Sequence, residues 1–415
     1  MALEPSRKVT ENPMIEPRVI TESEELTVSR IKSTHPLHRP RLLTATERER
    51  YRVMASRSRA QASLAAAGQL KQLHEPNTPN FRPEALMPQL PANGLRALSL
   101  YSGGGGLDLS FERAGYEHVA SYEILGHAAE TLARNRPNWK VFGSEAGDVK
   151  GVDWTSWKGK VDVLHGGPPC QPFSNAGRQE GHLDPRDCWP ATAAAIKAVQ
   201  PNAFIAENVP ALAGTKFSSY VQEIILTPLT AGRPRYHVRQ FILEARDFGI
   251  PQVRRRVFFV GFKTKRAAEA FEVPEPTHAW NEPTSNLLPT MSLREALGLP
   301  KDNRYVEGLS PTIRSGLTGP RHTTSVNNSA SSARTWASMG VWPNGVAVDR
   351  TAASGFPPDS GAFRMSVADV ALIQGFPESW TWPRAVYQAV GQIGNAVPPP
   401  LGWRVARAVA AALKA

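Results

Sequence analysis

The feature that most constrains this chain is a short apolar run that breaks into glycine. Leu98-Ser99-Leu100-Tyr101 has the length and composition of a buried strand. Ser102-Gly103-Gly104-Gly105-Gly106 follows it, and a helical pattern then runs to Ala114-Gly115. Glycine lets the backbone turn tightly and approach a ligand, and the helix behind it presents unbonded N–H groups. The rhythm then repeats. His118 to Glu123 reads as a second strand and His127 to Arg134 as a helix. Val161 to Leu164, Ala203 to Ala206 and Arg256 to Val260 read as further strands. Strands alternating with helices predict an α/β fold with a doubly wound, mostly parallel sheet. A ligand in such a sheet lies beyond the carboxyl ends of the strands, where the most unusual loops of this chain fall.

The glycine loop by itself does not name its ligand. The dinucleotide pattern G-x-G-x-x-G, started at Gly103 and Gly105, puts its third glycine at Asp108 and fails. Glu123 closes the second strand, where an acid can hold ribose hydroxyls. Asp148, in Gly147-Asp148-Val149, falls at the expected end of the third strand. An adenosine-containing cofactor fits this pattern, and both a nicotinamide and S-adenosylmethionine remain open.

Four regions follow from the patterning. Residues 1–93 form a polar, partly helical extension, dispensable for chemistry. In it Thr44-x-x-Glu47 is a capping box for a helix through Arg48, Tyr51, Met54, Leu64 and Leu70. Residues 94–264 form a catalytic and cofactor-binding domain. Residues 265–363, rich in Ser, Thr, Asn, Gly and Pro, form a smaller loop-rich domain. Residues 364–415 return to helical periodicity and end in the apolar helix of Leu401 to Leu413.

The 48 basic residues exceed the 37 acidic ones by 11, a balance suited to a polyanion whose counterions are released on binding. Only two cysteines, Cys170 and Cys188, occur in 415 residues, too few for a disulfide framework or a cysteine-rich zinc site. No metal is expected. Apolar runs fall short of the roughly 18 residues that cross a bilayer, and Met1 to Glu22 lacks a secretion signal. A cytoplasmic, membrane-free monomer is the expectation.

One of the two cysteines sits in an exceptional loop. Gly166-Gly167-Pro168-Pro169-Cys170-Gln171-Pro172-Phe173-Ser174 follows directly on a buried strand. Two glycines and three prolines restrict the backbone around a single thiol, as a rigidly presented nucleophile requires. Ser174 to Arg178 is small and polar enough to act as a lid.

This loop resembles the catalytic loop of the DNA cytosine-5 methyltransferases, and five further segments agree in order. They are Leu98 to Gly115, Glu207-Asn208-Val209, Gln252-Val253-Arg254-Arg255-Arg256, Ser366 to Pro377 with Gln374-Gly375-Phe376-Pro377, and Gly391 to Pro399 with Gly394-Asn395-Ala396-Val397. The resemblance covers about residues 95 to 410. It implies the fold of S-adenosylmethionine-dependent methyltransferases, with 265–363 as the target-recognition domain. It also implies methylation of cytosine carbon 5 in double-stranded DNA, in company with a cognate restriction endonuclease. Cys170 would be the nucleophile, Glu207 the acid at the ring nitrogen, and Arg254 and Arg256 the fixed cations holding the cytosine oxygen edge and that acid.

For S-adenosylmethionine the resemblance implies Tyr101, Ser102, Gly103, Gly105, Gly106 and Leu107 in the glycine segment. Glu123 would hold the ribose, Asp148 with Val149 the adenine, and Pro168, Asn395 and Ala396 the remaining walls. Gln171, Ser174, Arg178 and Gln252 would face DNA, with Arg314, Arg321 or Arg334 reading it, since arginine to guanine is the commonest specific contact.

The sequence departs from the family at Ser99 and Tyr101, where Asp and Phe are usual, at Gly104, usually apolar, and at Asp369, usually Glu. A related core methylates RNA, but the long polar stretch after the arginine motif favours DNA. A regulatory protein without activity would lack Cys170 or Glu207, and both are present. A dehydrogenase explains the glycine loop alone.

Overall fold

The computed structural model describes residues 75–415 apart from 174–183, 185, 282–285, 316, 318–322 and 356–360, together with scattered positions between 44 and 64. Seven strands build its central sheet: β1 (Arg96–Leu100), β2 (Glu117–Glu123), β3 (Val141–Gly143), β4 (Val163–Gly166), β5 (Ala203–Asn208), β6 (His237–Glu244) and β7 (Arg255–Phe262). Across the sheet the order is β3-β2-β1-β4-β5-β7-β6. The first five are parallel, and β7 runs antiparallel to both β5 and β6. This is the mostly parallel α/β sheet that the alternation predicts, with a hairpin added at one edge. The sequence reading lacks β6, because this edge strand exposes Arg239, Gln240 and Ile242 and its apolar signal is diluted.

The chain winds outward through β2 and β3, then crosses back to β4 beside β1. The switch point therefore lies between β1 and β4, and the loops that leave their carboxyl ends are the glycine run and the cysteine loop. Period-two alternation serves a sheet buried on both faces. In β7, Phe258 and Val260 enter one core cluster while Val257 and Phe259 enter the other.

Six helices matter for the site. They are α1 (Gly106–Arg113), α2 (Gly126–Asn135), α3 (Trp189–Val199), α4 (Val367–Ile373), α5 (Val386–Asn395) and α6 (Pro399–Lys414). The C-terminal α6 returns to the glycine helix. Ser110 Oγ donates to Pro399 O at 2.8 Å, and Tyr116 Oη donates to Ala406 O at 2.9 Å. Between residues 265 and 363 the regular structure is short: helices at Lys265–Ala270, Leu293–Ala296, Ala330–Ser338 and Arg350–Ser354, paired segments 278–279 and 288–289, and Val341–Ala347 parallel to Phe363–Ser366. Leu293, Ile313, Trp336 and Met339 from this stretch share one apolar cluster with Phe376 and Ile393.

Residues 75–93 depart from the picture of an extension outside the core. Phe81 and Met87 are 4% and 0% exposed and join the main cluster. Asn77 Nδ2 donates to Leu297 O at 2.9 Å and to Asp369 Oδ1 at 3.1 Å. Asp369 is itself wholly buried, closes a capping box with Ser366 at the start of α4, and pairs with Arg350 at 2.9 Å. The polar composition of 1–93 hides this, because two anchors among many polar residues leave no periodic signal. Further upstream, the described positions from Ala45 to Leu64 are helical and Arg48 N donates to Thr44 O at 3.0 Å. Glu47 of the expected capping box, with Tyr51, Met54 and Leu70, lies outside the described residues. Among the described residues no helix is long and apolar enough to cross a membrane.

A chain starting at residue 75 should unfold within a few degrees of the full protein. A chain starting at residue 91 should fail to fold, since each lost anchor is worth about 2–5 kcal/mol against a total of about 5–15. Thermal melts followed by circular dichroism decide it, and equal stability of the two truncations would deny residues 75–90 their place in the core.

Candidate active site

The cysteine loop is held at both ends by buried groups. β4 hands the chain to Gly167, which passes so close to β5 that a Cβ there would lie 2.9 Å from Glu207 Oε2. Asn208 Nδ2 donates to Pro168 O at 3.1 Å, while its own Oδ1 accepts from Val209 N at 2.9 Å. Asn208 thus fixes the loop over the strand end. The sequence reading quotes it in a motif but gives it no role. Beyond the thiol, the wholly buried Phe173 packs on Phe217 and Tyr220 at 5.3 and 4.9 Å between ring centroids. Its N–H donates to Cys170 O at 3.0 Å. Cys170, partly exposed, is left between these two clamps.

Charge is concentrated around it. Glu207 is 7% exposed, and Arg256 Nε lies 2.7 Å from its Oε1. Burial raises the Glu207 carboxyl above the ordinary carboxylate range, and Arg256 and Arg254 pull against it. Burial also raises the Cys170 thiol, with Arg256 lowering it and Glu207 raising it. The structure therefore brings Cys170, Glu207 and Arg256 together around one small space.

Arg254 and Gln252 are placed differently from expectation. Arg254 is wholly buried, and its Nη2 donates to Gly394 O and Ala396 O, both at 2.8 Å. Its Nη1 donates to Ile313 O at 3.3 Å. Its charge acts on Glu207 and Cys170 from a distance, but its fork is occupied by backbone carbonyls rather than by the acid. Gln252, expected at the DNA face, is wholly buried as well. Its amide donates to Gln374 Oε1 at 2.8 Å and to Ile373 O at 3.1 Å, and its Oε1 accepts from Ile313 N at 3.3 Å. A motif of alternating polar residues looks like a contact surface in sequence. Here two of its four polar side chains, Gln252 and Arg254, tie segments together.

The glycine loop forms the other half of the site. Gly103 N donates to Glu123 Oε2 and Leu125 N to Glu123 Oε1, both at 2.7 Å. Gly103 and Gly105 are left-handed, with φ of 55° and 87°, and the space over Gly103 is open. Gly104 is closed off: a Cβ there would lie 2.9 Å from the Trp382 ring, and one at Gly105 would lie 2.7 Å from Trp380. The glycine at 104 is thus explained, since an indole occupies the volume that an apolar side chain at that position would fill. Ser102, Leu107 and Val149 are buried, as is Pro168. Gly106 meets Val397 O, with 2.3 Å to a Cβ placed there, which sets the exposed Asn395 and the buried Ala396 beside the loop.

β3 ends at Gly143, so Asp148 lies beyond the strand rather than at its end. It caps a 3-10 turn, accepting from Lys150 N at 3.0 Å. Gly147 backs onto Glu123, 2.3 Å from its carbonyl oxygen to a Cβ, and so brings Asp148 near the other acid. An open glycine turn, two acids at its mouth and an exposed amide fit an adenosine-bearing cofactor.

Of the DNA-facing candidates, Gln171 is partly buried and its Oε1 has no protein partner among the described residues. Arg314 N donates to Val326 O at 3.0 Å, and Gly394 packs on the Arg314 backbone. Arg334 is exposed on the helix at 330–338. Ser174, Arg178 and Arg321 lie outside the described residues.

Comparison with known proteins agrees with this geometry. The model of a family described as C-5 cytosine-specific DNA methylase matches residues 95–411. Type II methyltransferase M.NgoMIV of Neisseria gonorrhoeae is 34% identical over 325 residues, covering 77% of this chain and 98% of the relative. Type II methyltransferase M.NaeI of Lentzea aerocolonigenes is 30% identical over 325 residues, covering 77% and 75%. A solved DNA modification methyltransferase encoded by an E. coli prophage shares the fold, with a TM-score of 0.51 at 21% identity over 77% of this chain and 100% of that one. The matched residues include the cysteine loop, the Glu207–Arg256 pair and the glycine turn, and the chain belongs to the C-5 cytosine-specific DNA methylase family.

Proposed function

We propose that this protein methylates carbon 5 of a cytosine within a specific double-stranded DNA sequence, with S-adenosylmethionine as donor. The buried Glu207–Arg256 pair facing the Cys170 loop is the observation that carries this reading. Carbon 5 of cytosine is a poor nucleophile. Addition of the Cys170 thiolate to carbon 6 makes it an enamine-like one, and the electron pair displaced toward N3 must be met by a proton. Glu207, with a raised pKa, holds that proton, and Arg256 fixes its orientation and can face the ring oxygen. The cofactor, when bound, supplies an electrophilic methyl group. Tyr101, Ser102, Gly103, Gly105, Gly106, Leu107, Glu123, Asp148, Val149, Pro168, Asn395 and Ala396 would hold it. Loss of the carbon 5 proton then re-forms the double bond and expels Cys170. A stacked base cannot reach these groups, so the target must be flipped out of the duplex.

Residues 265–363 we read as the recognition domain, with Arg314, Arg321 and Arg334 as its reading candidates. The naming of both relatives as Type II methyltransferases supports a place in a restriction-modification system beside a cognate endonuclease. A monomeric, cytoplasmic enzyme completes this reading; among the described residues no helix is long and apolar enough to cross a membrane.

Covalent trapping tests the reaction. With 5-fluorocytosine at the target, fluorine replaces the proton that must leave, so a denaturation-resistant adduct through Cys170 should persist. It should require S-adenosylmethionine and the recognised duplex, and Cys170→Ser should abolish it. An adduct on RNA but on no DNA duplex would overturn the substrate.

The electrostatics predict a signed pH effect. Glu207 raises the Cys170 thiol, so Glu207→Gln should shift the midpoint of Cys170 alkylation to lower pH. A shift to higher pH would contradict the arrangement.

The two arginines should separate cleanly. Arg254→Ala leaves buried carbonyls unpaired and should destabilise by about 3 kcal/mol or more. Arg256→Gln should lower turnover by about 10²–10³ with a smaller loss in melting temperature. Thermal melts and initial rates on one plasmid substrate compare them, and a parent-like melt for Arg254→Ala would refute its structural role.

A further inference from the structure

Tyr101 stands where the family usually has phenylalanine, and the structure gives its hydroxyl a use. The residue sits between β1 and the glycine run with φ of 54°, a left-handed conformation that a bulky side chain rarely adopts. Its Oη lies 3.1 Å from Thr192 Oγ1 in α3 and donates to Cys188 O at 3.3 Å. Thr192 Oγ1 in turn donates to Cys188 O at 2.8 Å. Two hydroxyl protons make only two of the three contacts at once, so the Tyr101 hydroxyl bonds either Cys188 O or Thr192 Oγ1, and either bond ties the ring to the first turn of α3.

That turn is itself firmly placed. Asp187, one residue before Cys188, accepts from Trp189 N at 3.0 Å and from Tyr220 Oη at 2.7 Å. Tyr220 is the residue that packs on Phe173 of the cysteine loop. Burial raises the Tyr101 hydroxyl well above its ordinary range, Cys188 adds to this, and Asp148, the acid assigned to adenine, adds least.

We propose that the Tyr101 hydroxyl and Thr192 are a positioning pair that locks the aromatic wall of the adenosine pocket against α3. A phenylalanine at 101 would be held by packing alone. The lock fixes the plane of the ring before any ligand arrives, so part of the ordering cost of binding is met by the fold. This rests on the reading of the glycine loop as an adenosine-cofactor site.

The test measures binding of S-adenosylhomocysteine by calorimetry, without turnover. Tyr101→Phe should weaken binding about three- to tenfold, the scale of one lost hydrogen bond, and Thr192→Val by less, because the Tyr101 hydroxyl keeps Cys188 O as a partner. The double variant should be no weaker than Tyr101→Phe, because that change alone already removes both of the tyrosine's contacts. Thr192→Ser keeps the hydroxyl and should bind like the parent. In rate measurements the loss should appear in KM for the cofactor rather than in kcat. Parent-like affinity for Tyr101→Phe, or additive losses in the double variant, overturns the proposal while leaving the cofactor site standing. A parent protein that binds no S-adenosylhomocysteine overturns both.

Discussion

The arrangement depends on a polar knot sealed inside an apolar cluster. Ala396 O accepts from Arg254 Nη2 and from Gln374 Nε2, the latter at 2.7 Å, and Gln374 Oε1 accepts from Gln252. Three segments far apart in sequence meet there: the approach to β7, the end of α4 and the turn after α5. All three side chains are wholly buried. In such surroundings an unpaired polar group costs far more than a made hydrogen bond returns, so the register that makes these bonds is favoured, although Arg254 Nε finds no partner among the described residues. That register places Asn395 beside the glycine loop and Arg256 beside Glu207. The knot therefore contributes geometry more than stability.

The knot also explains why the two arginines of one motif part company. At a spacing of two, strand geometry turns both side chains to the same face. Arg254 lies before the strand proper, where its backbone N–H is held by Glu244 at 2.6 Å and its fork reaches the turn after α5. Arg256 is inside β7, next to the antiparallel pairing of Val257 with Asn208, and so meets the acid on β5. One residue writes the position of the C-terminal segment, and the other writes the charge of the site.

Much of this was legible beforehand. The sheet announced itself through apolar runs that ended in special loops, because a sheet covered on both faces needs continuous apolar strands. Cys170 was legible because few other demands would surround one thiol with two glycines and three prolines. What stayed hidden had weak or ambiguous local signals. β6 is an edge strand with a polar outer side, and Phe81 and Met87 are two anchors in a polar stretch. Gln252 and Arg254 were misplaced because residue type reports polarity, while the partner that satisfies it lies 59 to 142 residues away. Asn208 shows the same limit from the other side, as its contact with Pro168 spans 40 residues.

The filled space at Gly104 has a consequence for how such chains diverge. The glycine and the Trp382 ring divide one volume between two segments that lie far apart in the gene. A larger residue at 104 would need a smaller one at 382 and some give at Gln392, whose Cβ would lie 3.2 Å away, and a smaller residue at 382 alone would open a void over the loop. The two positions are thus sterically coupled, and exchanging the N-terminal half of the catalytic domain without the C-terminal segment would separate them. A crossover that carries both segments together keeps the pair intact.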